Sequence, residues 1–409
     1  MEFSDSESIS GIFRKKKNMV SQLPFYFNTS SGIRFGVGSL QKSSDELIRL
    51  LGKRIMVISD KVLTDLGLFE PLLKEINILG GVSFVFDSVE PDPSLSTVLD
   101  SILYARENSV SGVIGFGGGS PMDVAKLTAL ILGSKQNLDD VWGVSNAHGP
   151  RAPLCLIPTT AGTGSEVTPV SIITIEGEEK RGVVSPIILP DLAILDPSLT
   201  LGLPRSTTAA TGVDAMVHAI EAFASESLNN NYLSQLMARE ALVLLTNSIR
   251  RSVRNGKNID ARSEMLMGSM MAGMAFANSP VAAVHALAYP LGGTFHIPHG
   301  LSNSLVLPGV LKFNSYNEKA AKAYTHLAKI VCPSSKKVVS NESEALRFSE
   351  YFCSLSKDLG LPVRLRDLGI PVSALEKLAR DAMKQTRLLV NNPRPMNRAD
   401  ALEIYRSAW

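Results

Sequence analysis

The sequence predicts an α/β domain followed by a helical domain, and three observations predict it. Short β-branched runs alternate with amphipathic stretches from Lys53 to about Pro204, the pattern of a parallel sheet with crossover helices. Beyond Pro204 the chain is rich in Ala, Leu, Met and Glu and almost free of strand-like runs. With 409 residues and 44% hydrophobic content, it is long enough to bury two cores.

Residues 1–22 carry Asp5, Glu7 and the basic run Arg14-Lys15-Lys16-Lys17 with no apolar stretch behind it. They read as a flexible, solvated tail rather than a secretory signal or membrane anchor. The α/β domain is assigned to 23–204, with strands expected at 54–59, 82–86, 112–116 and 154–158. Two further apolar runs, 170–175 and 183–189, flank the polar turn Glu176-Gly177-Glu178-Glu179-Lys180 and read as a hairpin appended to that sheet. The helical domain is assigned to 205–409. Its first helix is expected to be capped from Ser206-Thr207-Thr208, and the Met-rich stretch 265–274 reads as a buried helix rather than an adaptable binding surface. No internal repeat is apparent.

Charge excludes whole classes of partner. Lys and Arg number 41 against 39 Asp and Glu, so no net field attracts nucleic acid or a membrane surface, and a small molecule is the expected ligand. The three cysteines, Cys155, Cys332 and Cys353, are odd in number and lack C-x-x-C spacing. That pattern argues against a disulfide framework or a cysteine metal site and fits a reducing, cytoplasmic setting.

Gly115-Phe116-Gly117-Gly118-Gly119-Ser120 follows an apolar strand and precedes Pro121, a residue suited to the first turn of a helix. In such a strand, glycine turn and helix, the missing Cβ atoms admit a pyrophosphate and the new helix points its first N–H groups at it. The cluster departs from G-x-G-x-x-G, since Ser120 stands where the last glycine would be. Asp60 ends the strand at 54–59. Its carboxylate fits either the ribose of NAD, where it would repel the extra phosphate of NADP, or a cap for the helix that follows. A second polar loop, Pro158-Thr159-Thr160-Ala161-Gly162-Thr163-Gly164-Ser165-Glu166, leaves the sheet at the same carboxyl edge, with hydroxyls suited to pyrophosphate or nicotinamide.

Asp214 and His218 are four apart in a helical stretch, so both project from one face. Of only six histidines, four lie between 218 and 299. His285 sits in an apolar run, where a buried imidazole needs a partner for each nitrogen, and a metal supplies one. Gly292-Gly293 is expected to break that helix, after which His296-Ile297-Pro298-His299-Gly300 returns an imidazole to the same place. One carboxylate and three imidazoles suit one divalent cation, Fe2+ or Zn2+. Such a cation stabilises an alkoxide while a nicotinamide accepts hydride from the neighbouring carbon.

The motifs Gly117-Gly118-Gly119-Ser120-Pro121-Met122-Asp123-Val124-Ala125-Lys126 and Pro158 to Glu166, and the stretch from His285 to Gly300, together resemble the iron-containing, or group III, alcohol dehydrogenases. The resemblance runs from about Phe25 to the C-terminus, Asn392-Pro393-Arg394-Pro395 included. It implies a dehydroquinate-synthase-like architecture, with a Rossmann-like nucleotide-binding domain, a helical metal-binding domain and a cleft between them. Carried over by motif, the metal ligands are Asp214, His218, His285 and His299. The cofactor contacts are Asp60, Gly117, Gly118, Gly119, Ser120, Thr159, Thr160 and Lys180, with Arg181 replacing Lys180 after a one-residue shift. Where some relatives have a further histidine, this chain has Tyr289, which with His296 is a candidate for the proton relay.

The resemblance implies an NAD-dependent alcohol dehydrogenase acting on a small alcohol and its aldehyde or ketone, assembled as a homodimer or larger homo-oligomer. Oxo-acid reduction of the maleylacetate-reductase kind, hydroxyacid-oxoacid transhydrogenation and a dehydroquinate-synthase-like lyase are the alternatives. Few basic residues lie near the metal motifs in the sequence, which favours a neutral substrate.

Overall fold

The computed structural model describes residues 24–175, 180–332 and 340–409, so the tail assigned to 1–22 lies outside the described residues. Among the described residues the first domain has nine strands: β1 (Gly32–Phe35), β2 (Arg54–Ile58), β3 (Val82–Phe86), β4 (Gly112–Gly117), β5 (Gly143–Val144), β6 (Leu154–Pro158), β7 (Val170–Thr174), β8 (Lys180–Val184) and β9 (Leu192–Leu195). Between them run helices α1 (Ser44–Leu51), α2 (Lys61–Asp65), α3 (Glu70–Ile78), α4 (Leu95–Glu107) and α5 (Gly119–Gly133).

Six strands pair in parallel in the order β1-β9-β6-β4-β2-β3. Both faces of this sheet are covered, which is why its strands read as continuous apolar runs. Met56 and Ile58 of β2 pack into the core on one face, while Ile55 and Val57 pack into the core on the other. The chain passes from β2 outward to β3 and then back across to β4, so the direction of winding reverses between β2 and β4. At such a reversal the loops beyond the strand ends diverge and leave a crevice for a ligand.

The sequence expectation for the hairpin needs correcting. β7 and β8 do pair antiparallel, but with β5 they form a separate sheet ordered β5-β8-β7 instead of extending the main one. The second strand spans Lys180–Val184 and stops before residue 189, because Pro186 lacks the N–H that a ladder requires and starts a short 3-10 turn. Lys180 therefore belongs to a strand rather than to the turn. β1 and β9, four residues each, were too short to stand out by pattern.

The second domain is built of α6 (Arg205–Ala224), α7 (Tyr232–Arg254), α8 (Ile259–Asn278), α9 (Ala283–Phe295), α10 (His299–Ser315), α11 (Glu318–Val331), α12 (Asn341–Asp358), α13 (Leu375–Ala382), α14 (Thr386–Leu389) and α15 (Arg398–Ala408) around one apolar core. The Met-rich stretch lies in α8, where Met265 and Met270 are buried in that core. Two local expectations fail. Pro204 precedes α6 with no side-chain cap, and Ser206 and Thr207 sit inside its first turn. Gly292 and Gly293 do not break α9, which runs on until His296 turns left-handed at φ 53°. Among the described residues no single helix is long and apolar enough to cross a membrane.

Candidate active site

Three helices of the second domain bring four ligand-type side chains together. Asp214 and His218 lie one turn apart on the buried face of α6, His285 occupies the first turn of α9, and His299 begins α10. Gly300 makes the last approach possible. A Cβ there would stand 2.4 Å from the carbonyl oxygen of Ala210, so only glycine lets α10 lie directly on α6. His299 Nε2 thereby reaches 3.6 Å from Asp214 Oδ1, and the four ligand atoms all lie within 4.8 Å of one another.

Hydrogen bonds determine which nitrogen of two rings faces this centre. His218 Nδ1 lies 3.2 Å from the Gly162 carbonyl oxygen, and His285 Nδ1 lies 2.7 Å from Glu221 Oε2. An oxygen acceptor requires the Nδ1–H tautomer, which leaves the Nε2 lone pair free for a cation. Glu221 Oε1 also accepts from the Val284 N–H at 2.6 Å, so the carboxylate clamps both the ring and the start of α9. Burial raises Glu221 to about 7, against the hydrogen bonds it accepts and the nearby His218. Burial likewise drives His285 well below the ordinary histidine value and lowers His218, keeping both imidazoles neutral. At Asp214 burial pushes the carboxyl up, yet His218, His299, His285 and the Asn303 amide outweigh it and hold it below its ordinary value.

A fifth polar side chain enters the cluster. Asn303, one turn beyond His299 on α10, donates from Nδ2 to Asp214 Oδ1 at 2.6 Å and lies 3.3 Å from both His285 Nε2 and His299 Nε2. Its Oδ1 is buried with no hydrogen-bond partner. The anionic Asp214 carboxylate beside the neutral imidazoles of His218 and His285 gives the cluster the right sign for a cation. Ligands about 2.1 Å from one divalent ion stand about 3.4 Å apart. A cluster within 4.8 Å thus needs only slight contraction, and the donor set fits the metal the fold implies.

The glycine turn lies at the sheet's carboxyl edge. Gly117 adopts φ +150°, and a Cβ there would stand 2.8 Å from Pro121 Cγ, so the turn into α5 is closed to other residues. Gly118 precedes α5, and Gly119 and Ser120 open it and line a cavity of about 260 Å³. Thr159 N–H donates to the Gly117 carbonyl at 2.9 Å, and Thr160 lies 3.7 Å from where a Cβ of Gly118 would be. Asp60 caps α2, its Oδ1 accepting from Leu63 N–H at 3.0 Å, and Leu63 Cδ1 lies 3.3 Å from where a Cβ of Gly117 would be. Beneath the turn, fully buried Lys126 donates to Ser165 Oγ at 2.7 Å and to the Val170 carbonyl at 2.6 Å, with Asp123 Oδ1 at 3.6 Å.

The same cavity that receives Gly119 and Ser120 is lined by His218, His285, His299 and Tyr289. Lys180 also lines it, with Nζ 2.5 Å from Asp92 Oδ1. Tyr289 is placed 6.0 Å from the His299 ring, centroid to centroid, and burial raises its hydroxyl above the ordinary value. His296 lies apart from these residues. It ends α9 in a left-handed conformation, exposed and off the cavity wall, because the helix must turn there to start α10. Sequence reasoning missed Glu221, three residues after His218 on the same helix, and Asn303, four after His299. Their helical spacing was the available signal. It also missed Arg387, which lines the cavity from far along the chain.

A crevice at the sheet's winding reversal opening onto a helical ligand cluster is the dehydroquinate-synthase-like architecture, a two-domain enzyme class with its chemistry in the cleft. Residues 30–197 match the family described as iron-containing alcohol dehydrogenase, and 208–409 match its C-terminal domain. Long-chain-alcohol dehydrogenase 1 of Geobacillus thermodenitrificans is 39% identical over 91% of this chain and 94% of its own length. A crystal structure of 1,3-propanediol oxidoreductase superposes with a TM-score of 0.90 at 31% identity, covering 95% of this chain and all of that one. Sulfoacetaldehyde reductase from Bifidobacterium kashiwanohense, solved in complex with NAD+, superposes at 0.83 with 29% identity, covering 94% and 99%. The chain belongs to the iron-containing alcohol dehydrogenase family. It is an oxidoreductase acting on CH–OH groups, a metal-dependent enzyme of alcohols and aldehydes.

Proposed function

We propose that the protein interconverts a small alcohol and its aldehyde or ketone with NAD, using Fe2+ or Zn2+ held by Asp214, His218, His285 and His299. The observation that carries this reading is the shared cavity, which brings the start of α5 and three of the four ligands to one space. Asp60, Gly117, Gly118, Gly119, Ser120, Thr159, Thr160 and Lys180 are the cofactor contacts in this reading, and the Asp60 carboxylate favours NAD over NADP. That glycine turn matches the pyrophosphate, with α5 directing its first N–H groups at the negative charge. When bound, the divalent ion supplies Lewis acidity toward the substrate oxygen and the nicotinamide supplies the hydride acceptor.

The chain's own residues prepare that chemistry. Glu221 and the Gly162 carbonyl keep two imidazoles in the tautomer that can bind a cation. Phe276 stacks on His218 at 4.4 Å between ring centroids and shields it from water. Tyr289 closes the cavity beside His299 and, held protonated by burial, offers a hydroxyl to the proton relay. We further expect a homodimer or larger homo-oligomer in a reducing, cytoplasmic compartment, which cell fractionation and sedimentation would check.

Protein loaded with Fe2+ or Zn2+ should reduce short aldehydes with NADH, and His285→Ala should lose both bound metal and turnover. Absence of any reduction across aldehydes, ketones and oxo acids would overturn the reading.

A further inference from the structure

The charged groups on the cavity wall can be followed one by one to their partners. Lys180 is matched by Asp92. Asp123 is matched by the Ser165 hydroxyl at 2.7 Å, the Ile172 N–H at 2.9 Å and Lys126. Arg387 alone is unmatched: among the described residues its guanidinium has no hydrogen-bond or ion-pair partner. It cannot lose its proton, so among the described residues it is the one charged group on this wall without a partner, and it offers a full set of N–H donors.

The position of this arginine is held although its head is free. Arg387 lies on α14, where the adjoining Leu388 is buried in the helical core and lines the same cavity. Asn391 Nδ2 ties the backbone down, donating to the Arg387 carbonyl at 3.1 Å and to the Val281 carbonyl at 3.0 Å. From there the side chain crosses the cleft to the other domain. Its Nη2 comes within 4.0 Å of where a side chain on Gly182 of β8 would begin. Its charge is felt at Tyr289, beside His299. The rest of this wall is largely apolar, formed by Ile172, Val184, Phe276, Pro280, Val281 and Leu388. An apolar channel with a ligand cluster and a solitary guanidinium on its walls suits a molecule with a reacting C–O group, a short methylene spacer and an anionic end.

We propose that Arg387 determines specificity: the enzyme prefers alcohols and aldehydes whose far end carries a carboxylate or similar oxyanion, received by the Arg387 guanidinium. This rests on the dehydrogenase reading above and narrows its substrate class. A guanidinium and a carboxylate share a planar, two-pronged geometry, so the pair orients the substrate as well as attracting it. The neutral substrate suggested by the scarcity of basic residues near the metal motifs is then too narrow, because the deciding cation comes from a distant segment.

The test compares ω-oxo carboxylates of four to eight carbons with the straight-chain aldehydes of equal length, using NADH and metal-loaded wild type, Arg387→Met, Arg387→Lys and Arg387→Glu. The readout is the ratio of kcat/KM for each charged aldehyde to that for its neutral partner. Wild type should favour the charged member at one or two chain lengths. Arg387→Met should lower that ratio about 10-fold to 100-fold, as expected for a lost hydrogen bond to a charged group. Arg387→Glu should lower it further, and Arg387→Lys should restore part of it. Equal ratios in wild type and Arg387→Met overturn the proposal while leaving the dehydrogenase reading intact. A raised KM for NADH with an unchanged ratio also overturns it, by assigning Arg387 to the cofactor. If wild type reduces no aldehyde of either kind, the dehydrogenase reading falls and this proposal falls with it.

Discussion

Glu221→Gln isolates the part of the metal centre that the ligands themselves do not supply. The wild-type carboxylate accepts two buried N–H groups, His285 Nδ1–H at 2.7 Å and Val284 N–H at 2.6 Å. A glutamine has one acceptor oxygen, so one donor is left facing an amide NH2. If the oxygen stays with Val284, the His285 ring loses the bond that holds the proton on Nδ1 and can adopt the tautomer whose Nε2 carries hydrogen instead of a lone pair. A hydrogen bond to a charged group is worth about 1.5–3 kcal/mol. Loss of a carboxylate behind a metal histidine weakens cation binding about 10-fold to 100-fold, or about 1.4–2.7 kcal/mol. The two estimates agree, so the effect should appear as lost metal affinity rather than as unfolding. The assay is competition for Zn2+ against a chelator at pH 8, above the value of about 7 to which burial raises Glu221. Urea unfolding of the metal-free proteins serves as the control. Zn2+ binding within about twofold of wild type would refute the reasoning.

Other predictions follow from buried groups around the cleft. Gly117→Ala places a Cβ 2.8 Å from Pro121 Cγ at φ +150°, so it should cost about 1–3 kcal/mol of stability and weaken NADH binding by fluorescence titration; unchanged binding would count against the glycine turn as the phosphate site. Burial raises Glu166 from 4.5 to about 7, so its contribution to stability is complete below 4.5 and is lost as pH rises through 7. Glu166→Gln should therefore gain on wild type between pH 5 and pH 8, by up to about 3 kcal/mol in urea unfolding, and a pH-independent difference would refute this. Lys126→Met strands Asp123 beside the glycine turn and should destabilise by about 3–5 kcal/mol; a loss under about 1 kcal/mol would show that the buried pair is dispensable.

Much of this site was legible along the chain. The glycine turn announced itself because a strand, close backbone approach and a helix start are consecutive in sequence. Asp214 and His218 could be paired because a turn of helix separates them. The hairpin was legible as two apolar runs, but its sheet was not, since periodicity does not say which strand lies alongside. His296 and His299 looked equivalent in one loop. The left-handed turn at His296 sends the first outward, and the glycine contact at 300 presses the second against α6.

By itself the sequence determined the order of α/β and helical domains, the strand–glycine–helix turn and the donor inventory for a cation, because each rests on local spacing or composition. Tertiary structure decided what surrounds those groups. Glu221 meets His285 across 64 residues and Asn303 meets Asp214 across 89, contacts made by helix packing rather than by any repeat. Arg387 shows the same limit most clearly. Its neighbourhood in the chain carries no mark of the cleft, and only the docking of α14 against the segment before α9 sets its charge on the wall of the cavity.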